Sequence, residues 1–410
     1  MTEEAALAGK RSGPRPLGLH LSLSSLSFGS SMGAIGLAKE GALAWLPELQ
    51  EEAAKIQADM QQFAPADLIA ALGVEGQSAL THMLSGIEKY QSHPYLRHMP
   101  VLPTLWSKGS VSLYDYGVGL PNSAPIIFLV PSLVNKFYIL DLMPDNSFVA
   151  GLVEGGVRPI VVDWGVPSEV ENEYGLDDYI LNILVPALDS VLDRFPKAPV
   201  HLAGYCMGGT LATALAELKQ DKLSSLITIA APWDFHKGLG QSAKAILGNP
   251  TGWDSILQSL GVMPVDLIQS FFACLDPNLC LNKFTLFDQM VQSSKRAETF
   301  VALEDWLNDG VPLVRKAAHT CFVDWYGENS PALGNWRVGE KLVQPHNITI
   351  PSMIVVPKSD RIVPPESARA LADIIPNATL MTPSSGHIGM IVGSTAKKDL
   401  WVKVLKWVSP

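Results

Sequence analysis

The sequence predicts an α/β fold, a mostly parallel sheet with helices on both faces, extended by a helical insertion and an N-terminal helical segment. Three observations lead there. A continuous apolar run at 126–130 and largely apolar runs at 159–163, 200–203, 226–230 and 351–356 have the length and composition of strands buried on both faces. The segments between them carry helical spacing, as at 177–195, where Ile180, Leu184, Leu188 and Val191 form one stripe, and at 207–218, 366–374 and 397–408. Regular alternation of the two requires crossover connections, which make neighbouring strands parallel.

Composition bounds the function. The 410 residues suffice for one large α/β domain with an insertion, or for two domains. With 47% hydrophobic and 17% charged residues the chain is globular. Forty acidic against 30 basic residues give a net charge of -10, and no Lys/Arg run gathers, which excludes nucleic acid as a partner. Four cysteines are too few for a disulfide framework, and no ligand spacing suggests a metal. Cys274, Cys280 and Cys321 are expected as buried small apolar residues, and low cysteine use fits a reducing cytoplasm. No Gly-x-Gly-x-x-Gly or Walker-type loop points to a bound dinucleotide or nucleoside triphosphate, so no cofactor is expected.

The elements follow in order. Residues 1–35, polar and Gly/Ser-rich, are expected as a flexible arm. Lys10 and Arg11 precede a Leu-rich stretch, but Pro14, Pro16 and the interspersed serines make it a poor signal peptide. The longest uninterrupted apolar stretches fall short of the roughly 20 residues that span a bilayer, so no transmembrane segment is expected. Residues 36–110 form a helical segment, with Trp45, Leu49, Ala53 and Ile56, then Leu68, Leu72, Leu80 and Leu84, at helical steps. His82, His93 and His98 have no ligand spacing and are expected on the surface. The first part of the core, 111–231, opens with an alternating strand at 111–116. It continues through a helical connection at 136–154, interrupted near Pro144, and a helix that Pro186 should kink. Residues 232–345 contain many aromatics, among them Trp233, Phe235, Trp325 and Trp336, but no core strand, and read as a helical cap. Residues 346–410, with a strand at 379–382, complete the core.

Chemistry is expected at the carboxyl ends of the strands. Strand 200–203 runs into Gly204-Tyr205-Cys206-Met207-Gly208 and then a helix, the strand–turn–helix setting of a nucleophile elbow with Cys206 as nucleophile. Asp360 follows the strand at 353–356, and His387 follows the strand at 379–382. Nucleophile, acid, histidine is the chain order of an α/β-hydrolase fold. Cys206, at a helix N-terminus beside an imidazole, sits where a thiolate is favoured; His387 would take its proton and Asp360 would fix the histidine tautomer. The oxyanion would be held by the N–H of Met207 and that of Leu133, with Val134 as the fallback. Gly29-Ser30-Ser31-Met32-Gly33 also fits Gly-x-Ser-x-Gly, but no strand precedes it, and Ser31 is set aside.

Several separated motifs together resemble the polyhydroxyalkanoate synthases. Residues 204–209 (Gly-Tyr-Cys-Met-Gly-Gly) look like the cysteine version of that family's lipase-like box, and residues 130–142 look like its signature segment. Residues 145–147, 231–235, 359–364 and 386–389 are similar to further landmarks; Pro131-Ser132 and residues 306–312 depart from the pattern. The resemblance implies an acyltransferase that polymerises (R)-3-hydroxyacyl-CoA through an acyl thioester on Cys206. The CoA thioester is then substrate and the growing polyester product, with a homodimer and a cytoplasmic granule surface as candidate associations. A cysteine-dependent thioesterase, ester hydrolase or depolymerase, and a non-catalytic granule-associated protein, remain the alternatives.

Overall fold

The computed structural model describes residues 11–98, 101–240, 244, 247 and 249–409. The first ten residues of the expected arm, Lys10 among them, lie outside the described residues, as do positions 241–243, 245, 246 and 248 of the expected cap.

The chain gathers into two compact units, one of Met1–Leu96 with Gln269–Asn308, the other of Arg97–Ile268 with Asp309–Pro410. The larger unit is built on an eight-stranded sheet. Its strands are β1 (Thr104–Lys108), β2 (Val111–Asp115), β3 (Ile126–Val130), β4 (Arg158–Asp163), β5 (Val200–Tyr205), β6 (Ser225–Ile229), β7 (Ser352–Val355) and β8 (Ala378–Met381). Their spatial order is β1-β2-β4-β3-β5-β6-β7-β8, antiparallel at β1/β2 and β2/β4 and parallel elsewhere. Every residue of β3, β5, β6 and β7 is buried, which is why these strands read as largely apolar runs. β2 alternates buried and half-buried residues, as its sequence does. β1 was missed because it is an edge strand of polar composition with no buried residue.

Pairing brings the carboxyl ends of the central strands level: Val130 lies opposite Gly204, Tyr205 opposite Ile229, Ile229 opposite Val355 and Val355 opposite Met381. The loops that follow therefore leave the sheet along one edge.

Three local departures have physical causes. The helix expected at 136–154 is a 3-10 turn (Phe137–Leu140), a small hairpin of Asp141–Met143 with Asn146–Ser147, and a helix at Phe148–Glu154 capped by the Ser147 hydroxyl, which accepts from Ala150 N at 3.0 Å. Before Pro186 the chain takes a wider π-helical turn, Tyr179–Leu184. Proline removes the N–H that would donate to the Asn182 carbonyl, and Lys108 Nζ donates there instead at 3.0 Å. Between 232 and 345 only short two-residue strands occur among the described residues, and none joins the main sheet.

The smaller unit is helical, with helices at Leu17–Lys39, Gln50–Met60, Pro65–Ser92, Leu279–Asp288 and Lys295–Asn308. Met83, Ile87 and Tyr90 share a core with Cys280, Leu281, Phe284, Phe287, Ala297 and Val301. A Cβ at Gly86 would lie 2.1 Å from the Phe284 carbonyl oxygen, so glycine there lets the two helices meet backbone to side. Grouping Gln269–Asn308 with the N-terminal helices differs from the sequence expectation of one continuous cap over 232–345: the deciding contacts are long-range and leave no period.

Residues 17–35 are not an unstructured arm but part of the 23-residue helix Leu17–Lys39, among the described residues the one helix long and apolar enough to cross a membrane. Serines and glycines interrupt its apolar letters without adding charge, which hid it from a search for unbroken runs. Ser31 lies exposed on this helix and donates to the Ser27 carbonyl at 2.8 Å, so it stands in no elbow. His82 is exposed and bonded to Asp288, and His98 is exposed, but His93 is buried between the Gln292 carbonyl and Tyr95 N, contrary to expectation. Cys280 and Cys321 are buried as expected, whereas Cys274 is exposed.

Candidate active site

The larger unit brings the expected site residues together. Cys206 follows β5 and caps the start of the helix Met207–Lys219, with φ 56° and ψ -130°. A side-chain-bearing residue held there costs on the order of 1–3 kcal/mol. Two hydrogen bonds fix it: Cys206 N donates to Ile229 O and Gly209 N donates to Cys206 O, each at 2.8 Å. The glycines of the box are there because backbone fills their Cβ positions. A Cβ on Gly204 would lie 2.4 Å from Gly208 O, and one on Gly208 would lie 2.1 Å from Val130 O and 2.4 Å from Pro131 O. The loop after β3 thus rests directly on the first turn of the elbow helix. Among the described residues neither Leu133 N nor Met207 N has an acceptor, while Val134 N makes a long contact to Ser132 Oγ at 3.4 Å.

Asp360 and His387 stand on adjacent loops that pack closely, since a Cβ on Gly386 would meet the Ser359 carbonyl oxygen at 2.9 Å. Asp360 is saturated. Its Oδ1 accepts from Ile362 N and Val363 N, each at 2.9 Å, and its Oδ2 lies 2.7 Å from His387 Nδ1. Both side chains are buried, so the carboxylate orients the imidazole away from solvent. Burial pulls the imidazole pKa down, but the charges of Cys206 and Asp360 and the hydrogen bonds to both outweigh it and raise His387 to about 10. The arrangement is that of a nucleophile and a base oriented by a carboxylate.

Two tyrosines line the site that the sequence reading had not singled out. Tyr205 donates its phenol to the His387 carbonyl at 3.2 Å, and its ring lies 5.2 Å from the imidazole. Burial, then the charges of Cys206 and Asp360, push its phenol well up. Tyr326 packs edge-on against Phe235 at 4.9 Å; burial and the charges of Cys206 and Cys321 raise its phenol as well. Phe235, Trp325, Trp336 and Trp233 continue this aromatic wall. The signal for Tyr205 lay inside the box itself; Tyr326 carried none. No cluster of His, Cys, Asp and Glu that could hold a metal occurs among the described residues.

A family model described as the alpha/beta hydrolase fold matches residues 167–394, and one described as the poly-beta-hydroxybutyrate polymerase (PhaC) N-terminus matches residues 121–152. With the sheet order and the elbow, this places the chain in a class: it belongs to the α/β-hydrolase fold family. Within that class it is similar to poly(3-hydroxyalkanoate) polymerase subunits PhaC. It is 30% identical over 285 residues to the poly(3-hydroxyalkanoate) polymerase subunit PhaC of Haloferax mediterranei, covering 68% of this chain and 58% of that protein. To the protein of the same name from Haloarcula marismortui it is 30% identical, covering 69% and 60%. To that of Synechocystis sp. it is 29% identical over 314 residues, covering 74% and 83%. The chain thus spans about three fifths of the length of the two haloarchaeal relatives.

Proposed function

We propose that the protein is an acyltransferase that polymerises (R)-3-hydroxyacyl-CoA into polyhydroxyalkanoate, with Cys206, His387 and Asp360 as its catalytic residues. The observation that carries this is a cysteine, not a serine, at the elbow, whose charge acts on a buried histidine that Asp360 orients, in a chain similar to poly(3-hydroxyalkanoate) polymerase subunits. The Cys206 thiolate attacks the thioester carbonyl; the bond from acyl carbon to CoA sulfur breaks, and the departing sulfur takes its proton from the His387 imidazolium. Exchange of one thioester for another is nearly balanced and keeps the acyl group activated. The 3-hydroxyl of a monomer or chain end then gives its proton to His387. Its oxygen attacks the acyl carbon, the bond to Cys206 sulfur breaks, and an ester forms as the thiolate returns. The N–H groups of Leu133 and Met207 hold the carbonyl oxygen in both tetrahedral intermediates. The buried aromatics around Tyr326 limit water at the acyl-cysteine, so that alcohol rather than water accepts the chain.

Further associations belong to the same reading. Exposed large apolar residues, Leu26, Leu37, Trp45, Leu46, Phe63 and Val74 among them, gather along the N-terminal helices, which suits contact with a polyester granule surface. Free cysteines suit a cytoplasmic site, and the CoA thioester enters as substrate with no added cofactor.

Incubation of the protein with 3-hydroxybutyryl-CoA, following thiol release and product together, tests the reading. Release of thiol with insoluble polyester is expected, and Cys206→Ala abolishes both. Free hydroxy acid without polymer would make the protein a thioesterase; no thiol release would leave the non-catalytic alternative.

A further inference from the structure

We propose that Tyr205 is a positioning residue for His387: its phenol anchors the histidine loop and its ring sets the plane of the imidazole that faces Cys206. This rests on the catalytic reading of Cys206 and His387 given above. Three observations carry it. The Tyr205 hydroxyl donates to the backbone carbonyl of His387 itself at 3.2 Å. The two rings lie 5.2 Å apart at 31°, so the imidazole cannot turn about its side-chain bonds without leaving the tyrosine face. Tyr205 is 3% exposed, so loss of the phenol would leave the His387 carbonyl in a pocket where it loses its partner.

The placement is economical in chain length. Tyr205 and Cys206 are consecutive, and the positive φ of Cys206 turns the backbone between them. One strand end therefore supplies the nucleophile and, one residue earlier, the clamp on its base. Asp360 fixes His387 at Nδ1 and Tyr205 fixes it at the carbonyl and at the ring face. With those points held, the rigid ring has no freedom left, and its other nitrogen is fixed with it.

The test uses Tyr205→Phe, which keeps the ring and removes the hydroxyl, and Tyr205→Leu, which removes both, each in the full-length protein. The Phe variant is expected to lose about 10-fold in kcat at unchanged KM, the worth of one hydrogen bond, and the Leu variant more. Alkylation of Cys206 by iodoacetamide, which needs no acyl substrate, should slow in parallel across pH 6 to 9. In a His387→Gln background the Tyr205→Phe change should have no further effect, because a clamp on an absent imidazole does nothing. Wild-type kcat and alkylation in both variants would overturn the proposal. So would slowed alkylation that persists undiminished in the His387→Gln background, which would mark Tyr205 as a packing residue. Slowed, His387-dependent alkylation in a protein that transfers no acyl group would uphold Tyr205 while removing the acyltransferase reading.

Discussion

Nδ1 of His387 donates to Oδ2 of Asp360 at 2.7 Å, and the other carboxylate oxygen of Asp360 is held by two backbone N–H groups. The carboxylate is therefore fixed before it fixes the histidine. Asp360→Asn keeps the shape but offers an amide that can present N–H where an acceptor is required, which favours the wrong imidazole tautomer. On this account kcat falls by about 10³ to 10⁴ with the fold retained, as steady-state kinetics and circular dichroism together would show. Activity within a few-fold of wild type would mean that Asp360 does not orient the base.

The raised pKa of His387 makes a stability statement. An unfolded histidine titrates near 6.5, whereas the native group, held by Cys206 and Asp360, titrates at about 10. Between these values the native state keeps a proton that the unfolded state has released, so the contribution is complete below about pH 6.5 and is lost as pH rises toward 10. Urea unfolding at pH 7 and pH 10 should show wild type losing up to a few kcal/mol more than His387→Gln over that window. Equal losses in the two proteins would remove the ion pair from the account.

His201 works in the opposite direction. It is buried on β5, bonded to Ser225 Oγ at 2.7 Å, and burial pushes its pKa down to about 4. Stability tied to the neutral ring is present above about pH 6.5 and is lost as pH falls toward 4, because the unfolded chain takes up a proton first. His201→Gln should flatten the acid side of the stability curve between pH 6.5 and 4 without touching the basic side.

Gly208 tests the seat of the β3 loop on the elbow. A Cβ there meets two backbone oxygens, which cannot swing aside as a side chain would. Gly208→Ala should cost about 3 kcal/mol and lower the melting transition by roughly 3–5 °C. Gly29→Ala, where a Cβ meets nothing within 4 Å, serves as the control and should be neutral or slightly stabilising.

Much of this was legible in the sequence, and what was not has identifiable causes. β3, β5, β6 and β7 are buried on both faces, so each appears as an apolar run, and the elbow at Cys206 announces itself because strand, turn and helix are contiguous. β1 has no buried face to betray it. The helix Leu17–Lys39 was hidden by serines that its own backbone satisfies, as when Ser22 and Ser24 donate to carbonyls four residues earlier. Phe284 and Phe287 pack with Met83 and Ile87 from nearly two hundred residues away, a partnership no local pattern encodes. Tyr205 is a letter of the box, yet its partner is a backbone carbonyl 182 positions on, which has no signature in a side-chain pattern.

The central claim is that Cys206 carries the growing acyl chain. It is tested most directly by digesting the protein during turnover of 3-hydroxybutyryl-CoA and weighing the peptide that contains Cys206. A ladder of hydroxybutyryl units on that peptide, released by hydroxylamine and absent from Cys206→Ala, is the expected result. Consumption of the thioester with the Cys206 peptide unmodified, or with the acyl group on another residue, would contradict the account.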